Sequence, residues 1–177
     1  MKRFLFVFLL SLALYGCKTV IEISTKGEPE HFDPIVLSTD MTRYYSEVEV
    51  DVPADIRDEE WEVTRVDMFG NVTAQYIDHP VDVELYIGLV PGNENLDNPV
   101  LNSRIAHENI SLPATAYDIE VRSPPLALQA MRQDHFYIKA VITTATPTVG
   151  IVRVGGVYLD VTLERDSSGL FPFFYLF

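Results

Sequence analysis

Alternation of apolar and polar residues is the strongest structural signal along the chain. It is clearest in three sets of apolar positions: Val48, Val50 and Val52; Val81, Val83, Leu85, Ile87 and Leu89; and Val157, Leu159, Val161 and Leu163. Because successive side chains of a strand point to opposite faces, each set predicts a strand with one buried face. We expect Val83, Leu85 and Ile87 to share one core with Val157, Leu159 and Val161.

Glycine-containing pairs of residues interrupt the alternation at two places. Gly70-Asn71 predicts the turn of a β-hairpin, with residues 72–77 as its returning strand. Gly155-Gly156 falls inside the last long apolar run and predicts a bulge or bend there.

One short helix is predicted near residues 124–133. Ser123 has the chemistry of an N-cap, and Pro124 suits the first helical position. The expected buried stripe is Leu126, Ala130 and Met131.

Short strands with turns at near-regular spacing indicate an all-β fold, an antiparallel β-sandwich. The order of strand, short helix, strand, turn and strand near the end of the chain is similar to that of small bacterial lipoproteins with Ig-like or fibronectin-like sandwiches. This resemblance implies a sandwich of that kind, although no motif in the sequence is specific to one family.

The first 17 residues have the parts of a secretory signal. Lys2 and Arg3 precede an apolar run over 4–14, which is 11 residues long and shorter than the roughly 20 that span a bilayer. The run closes on Leu14-Tyr15-Gly16-Cys17, which resembles the bacterial lipoprotein signal. The resemblance implies that residues 1–16 are cleaved and that Cys17 carries a thioether-linked diacylglycerol and an N-acyl chain. The alternative is an ordinary secretory signal that leaves an unmodified thiol on Cys17, the single cysteine of the chain.

The predicted anchor sets the expected location. Two or three acyl chains hold a protein stably on a membrane, whereas one gives only marginal binding. Lys18 follows the cysteine, and where this position sorts lipoproteins Asp favours retention in the inner membrane. The resemblance therefore implies the outer membrane of the bacterial cell envelope, on its periplasmic or its surface face.

Residues 17–43 leave two interpretations open. Either this anchor segment contributes a first strand and the domain lies close to the bilayer, or it forms a flexible tether. A tether of about 25 residues would reach several tens of ångströms. In both cases residues 44–177 are expected to form the sandwich domain.

Charge excludes one class of partner. The net charge is −13; Lys2 and Arg3 lie in the signal and none of the 26 acidic residues does, so cleavage makes it −15. Such a surface repels nucleic acid and anionic head groups. We expect no nucleic-acid partner.

Metal-binding residues show no recognisable spacing. His31, His79, His107 and His135 are scattered, so a zinc site would need distant loops. Calcium, which takes oxygen ligands, has two candidate sets: Asn93, Glu94, Asn95 and Asp97, or Asp55, Asp58, Glu59 and Glu60. Solvated acidic turns explain both sets more simply than calcium does, and no cofactor is expected besides the lipid.

Aromatic residues crowd the last stretch of the sequence: Phe171, Phe173, Phe174, Tyr175 and Phe177. The alternating Phe173, Tyr175 and Phe177 resemble the closing strand of outer-membrane barrels. The stretch is a final core strand, an exposed segment that binds a partner or the bilayer surface, or a strand given to a shared pore.

Function is therefore predicted only in outline. The sequence has no Gly-x-Ser-x-Gly elbow, and carboxylate pairs cannot be recognised without the fold. The first hypothesis is a lipid-anchored, non-catalytic module that binds or assembles another envelope protein, with the five aromatic residues as its contact. The alternatives are an envelope hydrolase and a subunit of an outer-membrane secretion or pore complex.

Overall fold

The computed structural model describes residues 20–57, 61–111 and 116–166, and side chains from residue 26 to residue 165 within these ranges. Its strands are β1 (Val20–Lys26), β2 (Ile35–Leu37), β3 (Arg43–Asp51), β4 (Glu62–Gln75), β5 (Val81–Gly88), β6 (Asn102–Ile110), β7 (Ala116–Arg122), β8 (His135–Thr144) and β9 (Gly150–Asp166). A 3₁₀ turn covers Ala54–Arg57, and one helical turn, α1, covers Ala127–Ala130.

The strands form two antiparallel sheets. Sheet A has the order β1-β9-β4-β7, with β2 also paired to β9, and sheet B has the order β3-β8-β5-β6. The predicted antiparallel β-sandwich with one short helix is confirmed. Within that architecture, the strand orders β1-β9-β4-β7 and β3-β8-β5-β6 are those of a jelly roll and differ from the strand order of an immunoglobulin domain.

The core lies between the sheets and follows the predicted alternation. Val83, Leu85 and Ile87 from β5 belong to the same buried cluster as Val157, Leu159 and Val161 from β9, so the shared core is confirmed. Their polar neighbours along each strand face outward, as the period of two requires.

The hairpin predicted at Gly70-Asn71 is wrong, because β4 continues through both residues to Gln75. The pairing of β4 with β9 shifts register between Phe69 and Asn71, opposite Gly155 to Tyr158. A Cβ atom at residue 70 would lie 3.1 Å from Val157 Cγ2, so glycine lets the two strands approach there. The bulge predicted at Gly155-Gly156 is confirmed, with Gly156 at φ +57°.

The helix is shorter than predicted and its cap is different. Ser123 is not the N-cap: it has φ 46°, and its N–H donates to Val66 O at 3.0 Å. Leu126, at φ 64°, precedes the first turn and makes no side-chain capping bond. The expected stripe still packs inward, with Ala130 and Met131 buried and Leu126 against the core.

The two strands that precede β3, β1 and β2, both belong to sheet A. β1 pairs with β9 from Val20↔Asp166 to Lys26↔Asp160, and β2 continues along the same strand at Leu37↔Gly150. The sheet therefore begins three positions after Cys17. We call the end of the sandwich that holds Val20, Glu62 and Asp166 the proximal end, because it is nearest to Cys17 along the chain.

Candidate binding surfaces

Several predicted site residues lie outside the described residues. These are Cys17, the aromatic set Phe171, Phe173, Phe174, Tyr175 and Phe177, and the acidic residues Asp58, Glu59 and Glu60. Asp55, the remaining member of the second calcium set, is exposed in the 3₁₀ turn.

The first calcium set lies in the loop 89–101 between β5 and β6. Asn93, Glu94, Asn95 and Asp97 are all exposed, while Leu96 between them is buried. Across residues 20–57, 61–111 and 116–166, no three His, Cys, Asp or Glu side chains are grouped so as to hold a metal ion. The oxygens that loop 89–101 turns toward the sheet accept hydrogen bonds instead, as described next.

Lys139 is the buried cation beneath loop 89–101. It lies on the outer face of β8, yet its exposed fraction is 0%. Its Nζ donates to Gly92 O and to Asn102 Oδ1, each at 2.7 Å, and Asn102 Nδ2 donates to Asn95 O at 2.5 Å. This chain of bonds ties the loop to sheet B, and burial lowers the pKa of Lys139 while nearby Glu47 opposes that change.

Gly88 makes room for this arrangement. A Cβ atom at residue 88 would lie 2.4 Å from Lys139 Cε and 2.6 Å from Asn102 Oδ1. Only glycine therefore lets the lysine cross the face of β5 to reach Asn102. The sequence signal for this contact is the lysine itself, at an outward position of a strand that is otherwise apolar.

Tyrosines paired with carboxylates surround the buried lysine on the outer face of sheet B. Tyr45 donates to Glu47 Oε2 at 2.5 Å, and Gly92 N–H donates to the same oxygen at 3.0 Å. Tyr86 donates to Glu84 Oε2 at 3.1 Å, and Arg104 bonds Glu84 Oε1 at 2.6 Å.

The tyrosines of this face hold their protons firmly. Burial raises the pKa of Tyr45, Tyr86 and Tyr137, and the neighbouring carboxylate raises each further: Glu47 beside Tyr45, Glu84 beside Tyr86 and Glu49 beside Tyr137. A phenol with a raised pKa is a hydrogen-bond donor and a poor nucleophile or base near neutral pH. This face can therefore bind polar groups.

A second buried ionisable group, Asp67, lies on the outer face of sheet A with an exposed fraction of 6%. Its carboxylate is bonded by Arg65 and accepts the N–H of Ser123 at 3.1 Å. The bond from Arg65 lowers the pKa of Asp67 despite burial, which acts in the opposite direction. The contact holds the segment before α1 against β4.

A groove of about 400 Å³ with a mainly apolar lining lies between the two edge strands β1 and β3. We call it the edge groove. Its floor includes residues of both sheets, namely Val50, Phe136, Ile138, Val157, Leu159 and Val161. Acidic residues of both walls stand at its rim, Glu28 and Glu30 on one side and Glu49 and Asp51 on the other.

Both strands beside the edge groove end their sheets. Within the described residues, β1 pairs only with β9 and β3 only with β8. A smaller cavity of about 310 Å³ adjoins the groove at the proximal end, where it shares Ile56 and Met131 and includes Trp61 and Val63. The edge groove and this cavity therefore form one opening along a side of the sandwich, beside two strand edges that have no partner strand among the described residues.

Comparisons with known proteins add no identity. No family model and no curated protein matches the sequence. Solved structures with similar backbones include a carbohydrate-binding module, TmCBM61, in complex with β-1,4-galactotriose, at 9% identity and a TM-score of 0.43 over 82% of this chain and 88% of that one. A structure of Desmodium yellow mottle tymovirus has 10% identity and a TM-score of 0.34 over 85% of this chain and 90% of that one. A structure of turnip yellow mosaic virus has 7% identity and a TM-score of 0.37 over 85% of this chain and 82% of that one. Likeness at these values does not bear on function.

The described part of the chain contains no helix with the length and apolar character needed to cross a bilayer.

Proposed function

We propose that the protein is a lipid-anchored, non-catalytic module of the bacterial cell envelope that binds or assembles another envelope protein. Cys17 carries the diacylglycerol and the N-acyl chain, and the outer membrane is the proposed location. The proposed contacts are the edge groove and the aromatic set Phe171, Phe173, Phe174, Tyr175 and Phe177.

The observation that carries this proposal is the separation of the apolar opening from the perturbed ionisable groups. The floor of the edge groove is built from core residues such as Phe136 and Leu159. Tyr45, Asp67, Tyr86 and Lys139, whose pKa values are shifted, lie instead on the outer faces of the sheets. A hydrolase site would bring such groups together in the concavity, whereas an apolar groove beside unpaired strands suits binding.

The position of β1 supports a short link to the membrane. Val20 begins the strand, so three steps of the chain separate it from Cys17. These steps span at most about 11 Å. With lipid on Cys17, the proximal end would face the bilayer and the edge groove would open beside it.

The anchor is tested by Cys17→Ser, with Thr19→Ser as the matched control. We expect the Cys17→Ser chain to lose the membrane fraction and to remain unprocessed or become soluble, because no acyl chain can be attached. The Thr19→Ser chain should fractionate as the parent does. Complete retention of the Cys17→Ser chain in membranes would contradict the lipid anchor.

The binding role is tested by crosslinking in intact envelopes, read by mass spectrometry. The parent chain is compared with Val50→Glu, which places a charge in the edge groove, and with Val36→Glu, at a residue that is 65% exposed on β2. We expect the parent and Val36→Glu to capture the same envelope protein and Val50→Glu to lose it. Equal capture by all three chains would show that the partner does not use the groove.

A further inference from the structure

We propose that the edge groove is the docking site for residues 171–177 of the same chain, which add to β3 as an antiparallel strand. This deepens the proposed function, because a partner that uses the groove must displace these residues. The docking itself depends on neither the lipid nor a partner, so it can fail or hold independently of the proposed function.

The starting point of the segment favours this occupant. β9 ends at Asp166, which pairs with Val20 at the proximal end. The adjoining cavity there contains Val63, which pairs with Leu163, about 10 Å of strand before Asp166. The five steps from Asp166 to Phe171 reach about 17 Å, enough to turn back to that cavity.

The length of the opening also agrees with the length of residues 171–177. Along β9 the edge groove extends from Val157 to Val161, and the adjoining cavity extends it to the level of Leu163, which makes six residues or about 20 Å. Residues 171–177 contain the same six steps and therefore span about 20 Å as a strand. One pass of this segment covers the opening from end to end.

Chain direction fits the free edge of β3. β3 runs toward the proximal end, since Asp51 precedes the 3₁₀ turn that leads to β4. A segment that turns back after Asp166 runs away from the proximal end, so it lies antiparallel to β3. Pro172 is compatible with this position, because an edge strand does not need every N–H for pairing.

Side-chain alternation fits the groove. On a strand, Phe173, Tyr175 and Phe177 share one face and Phe174 and Leu176 the other. Three rings directed at Val50, Ile138 and Leu159 would each bury about 150–250 Å². The acidic rim of the groove would repel an acidic segment, and residues 170–177 carry no charged side chain.

Proximity favours residues 171–177 of the same chain, rather than those of a second copy, as the occupant of the edge groove. A short connection holds the segment at a local concentration in the millimolar range, well above that of a second protein molecule. A partner that replaces it must therefore present a strand of comparable aromatic pattern.

Introduced cysteine pairs test the docking in the chain of residues 17–177, carrying Cys17→Ser. Val50→Cys is combined with Phe173→Cys, Tyr175→Cys or Phe177→Cys, and in matched controls with Phe174→Cys or Leu176→Cys. We expect an internal disulfide in the monomer for at least one of the first three pairs and for neither control, because a disulfide needs Cβ atoms about 4 Å apart. Disulfides between two chains, equal pairing in both sets, or no pairing would each overturn the proposal.

Chymotrypsin cleavage of the segment gives a second measurement without new thiols. In the same chain of residues 17–177, Val50→Glu should speed cleavage within residues 171–177 about tenfold, since a docked segment is cut only when it opens. Val36→Glu is the matched control and should leave the rate unchanged, with Trp61 emission confirming that each variant is folded. Equal cleavage rates in the parent and Val50→Glu chains would overturn the docking.

Discussion

Among the described Asp, Glu, Lys, Arg and His side chains, Lys139 and Asp67 are the two that the sandwich buries, each on the outer face of a sheet. Lys139 is covered by a loop that offers the neutral oxygens of Gly92 and Asn102. Asp67 is covered by the guanidinium of Arg65 and the N–H of Ser123. Burial dominates at the lysine and disfavours its charged form, whereas the arginine dominates at the aspartate and favours its charged form.

The two sites show that excluding a charged side chain from solvent and pairing it with an opposite charge are separate effects. At Asp67 one opposite charge accompanies the cover, so the ionised group stabilises the fold. At Lys139 the cover is the larger element, since the lysine fastens the whole loop 89–101 to sheet B. Removing each group should therefore give effects of different size and different pH dependence.

Removal of Lys139 should have the largest effect. Lys139→Ala leaves the buried oxygens of Gly92 and Asn102 without their donor and opens a cavity, which should lower the free energy of unfolding by about 3–4 kcal/mol. Urea denaturation of the chain of residues 17–177 measures this. Lys26→Ala, at an exposed lysine over the ring of Tyr158, is the control and should cost less than about 1 kcal/mol. Similar costs for both variants would show that the loop is not held by Lys139.

A methyl group at residue 88 should have an intermediate effect. Gly88→Ala places a Cβ atom 2.4 Å from Lys139 Cε and forces the lysine away from Asn102. We expect a loss of about 1–3 kcal/mol in the free energy of unfolding. The double variant with Lys139→Ala should lose less than the sum of the two single variants, because the clash with the lysine, although not that with Asn102, is absent once the lysine is shortened. Strict additivity would place the strain elsewhere in the fold.

Asp67 should have the smallest effect, and one that depends on pH. Its pKa in the folded chain lies below the ordinary 3.8, so its stabilisation is complete above about pH 4 and is lost as the pH falls through the folded pKa. Asp67→Asn should cost about 1–2 kcal/mol near neutral pH, and the difference from the parent should shrink on acidification. Thermal unfolding midpoints across pH measure this, with the exposed Asp118→Asn as control. A difference that stays constant down to strongly acidic pH would contradict the role of the carboxylate.

The residue patterns predicted which side chains form the core, but they did not predict which loop buries Lys139. Alternation placed Leu85 and Leu159 in the shared core because the period of two depends on local geometry alone. The same alternation assigned Lys139 to an outward position, which is correct, but its burial comes from a loop some forty residues earlier in the chain. Gly70 has the local features of a turn, and only the opposing bulge at Gly156 explains why the strand continues instead.

Most of the candidate binding surfaces could not be predicted from the sequence. The edge groove exists because β1 and β3 both end their sheets on the same side, and strand order is not encoded in the pattern of any one strand. Tyr45 and Glu47 are two residues apart and share a face, so that pair could have been anticipated from alternation. The cavity beside Trp61 depends on residues from distant segments and could not.

The position of β9 has a consequence for the timing of folding. This strand pairs with β1, β2 and β4, and its contact with β1 joins residues as far apart as Val20 and Asp166. Contacts between such distant residues form late, because the loop between them has to close first. During synthesis, sheet A cannot be completed until residues 150–166 have left the ribosome, because β9 joins β1 to β4. The sandwich therefore stays incomplete until the last of the described strands has been made. An export signal over residues 1–17 would then act on a chain that has not yet closed, which is the state that can be threaded through a membrane channel.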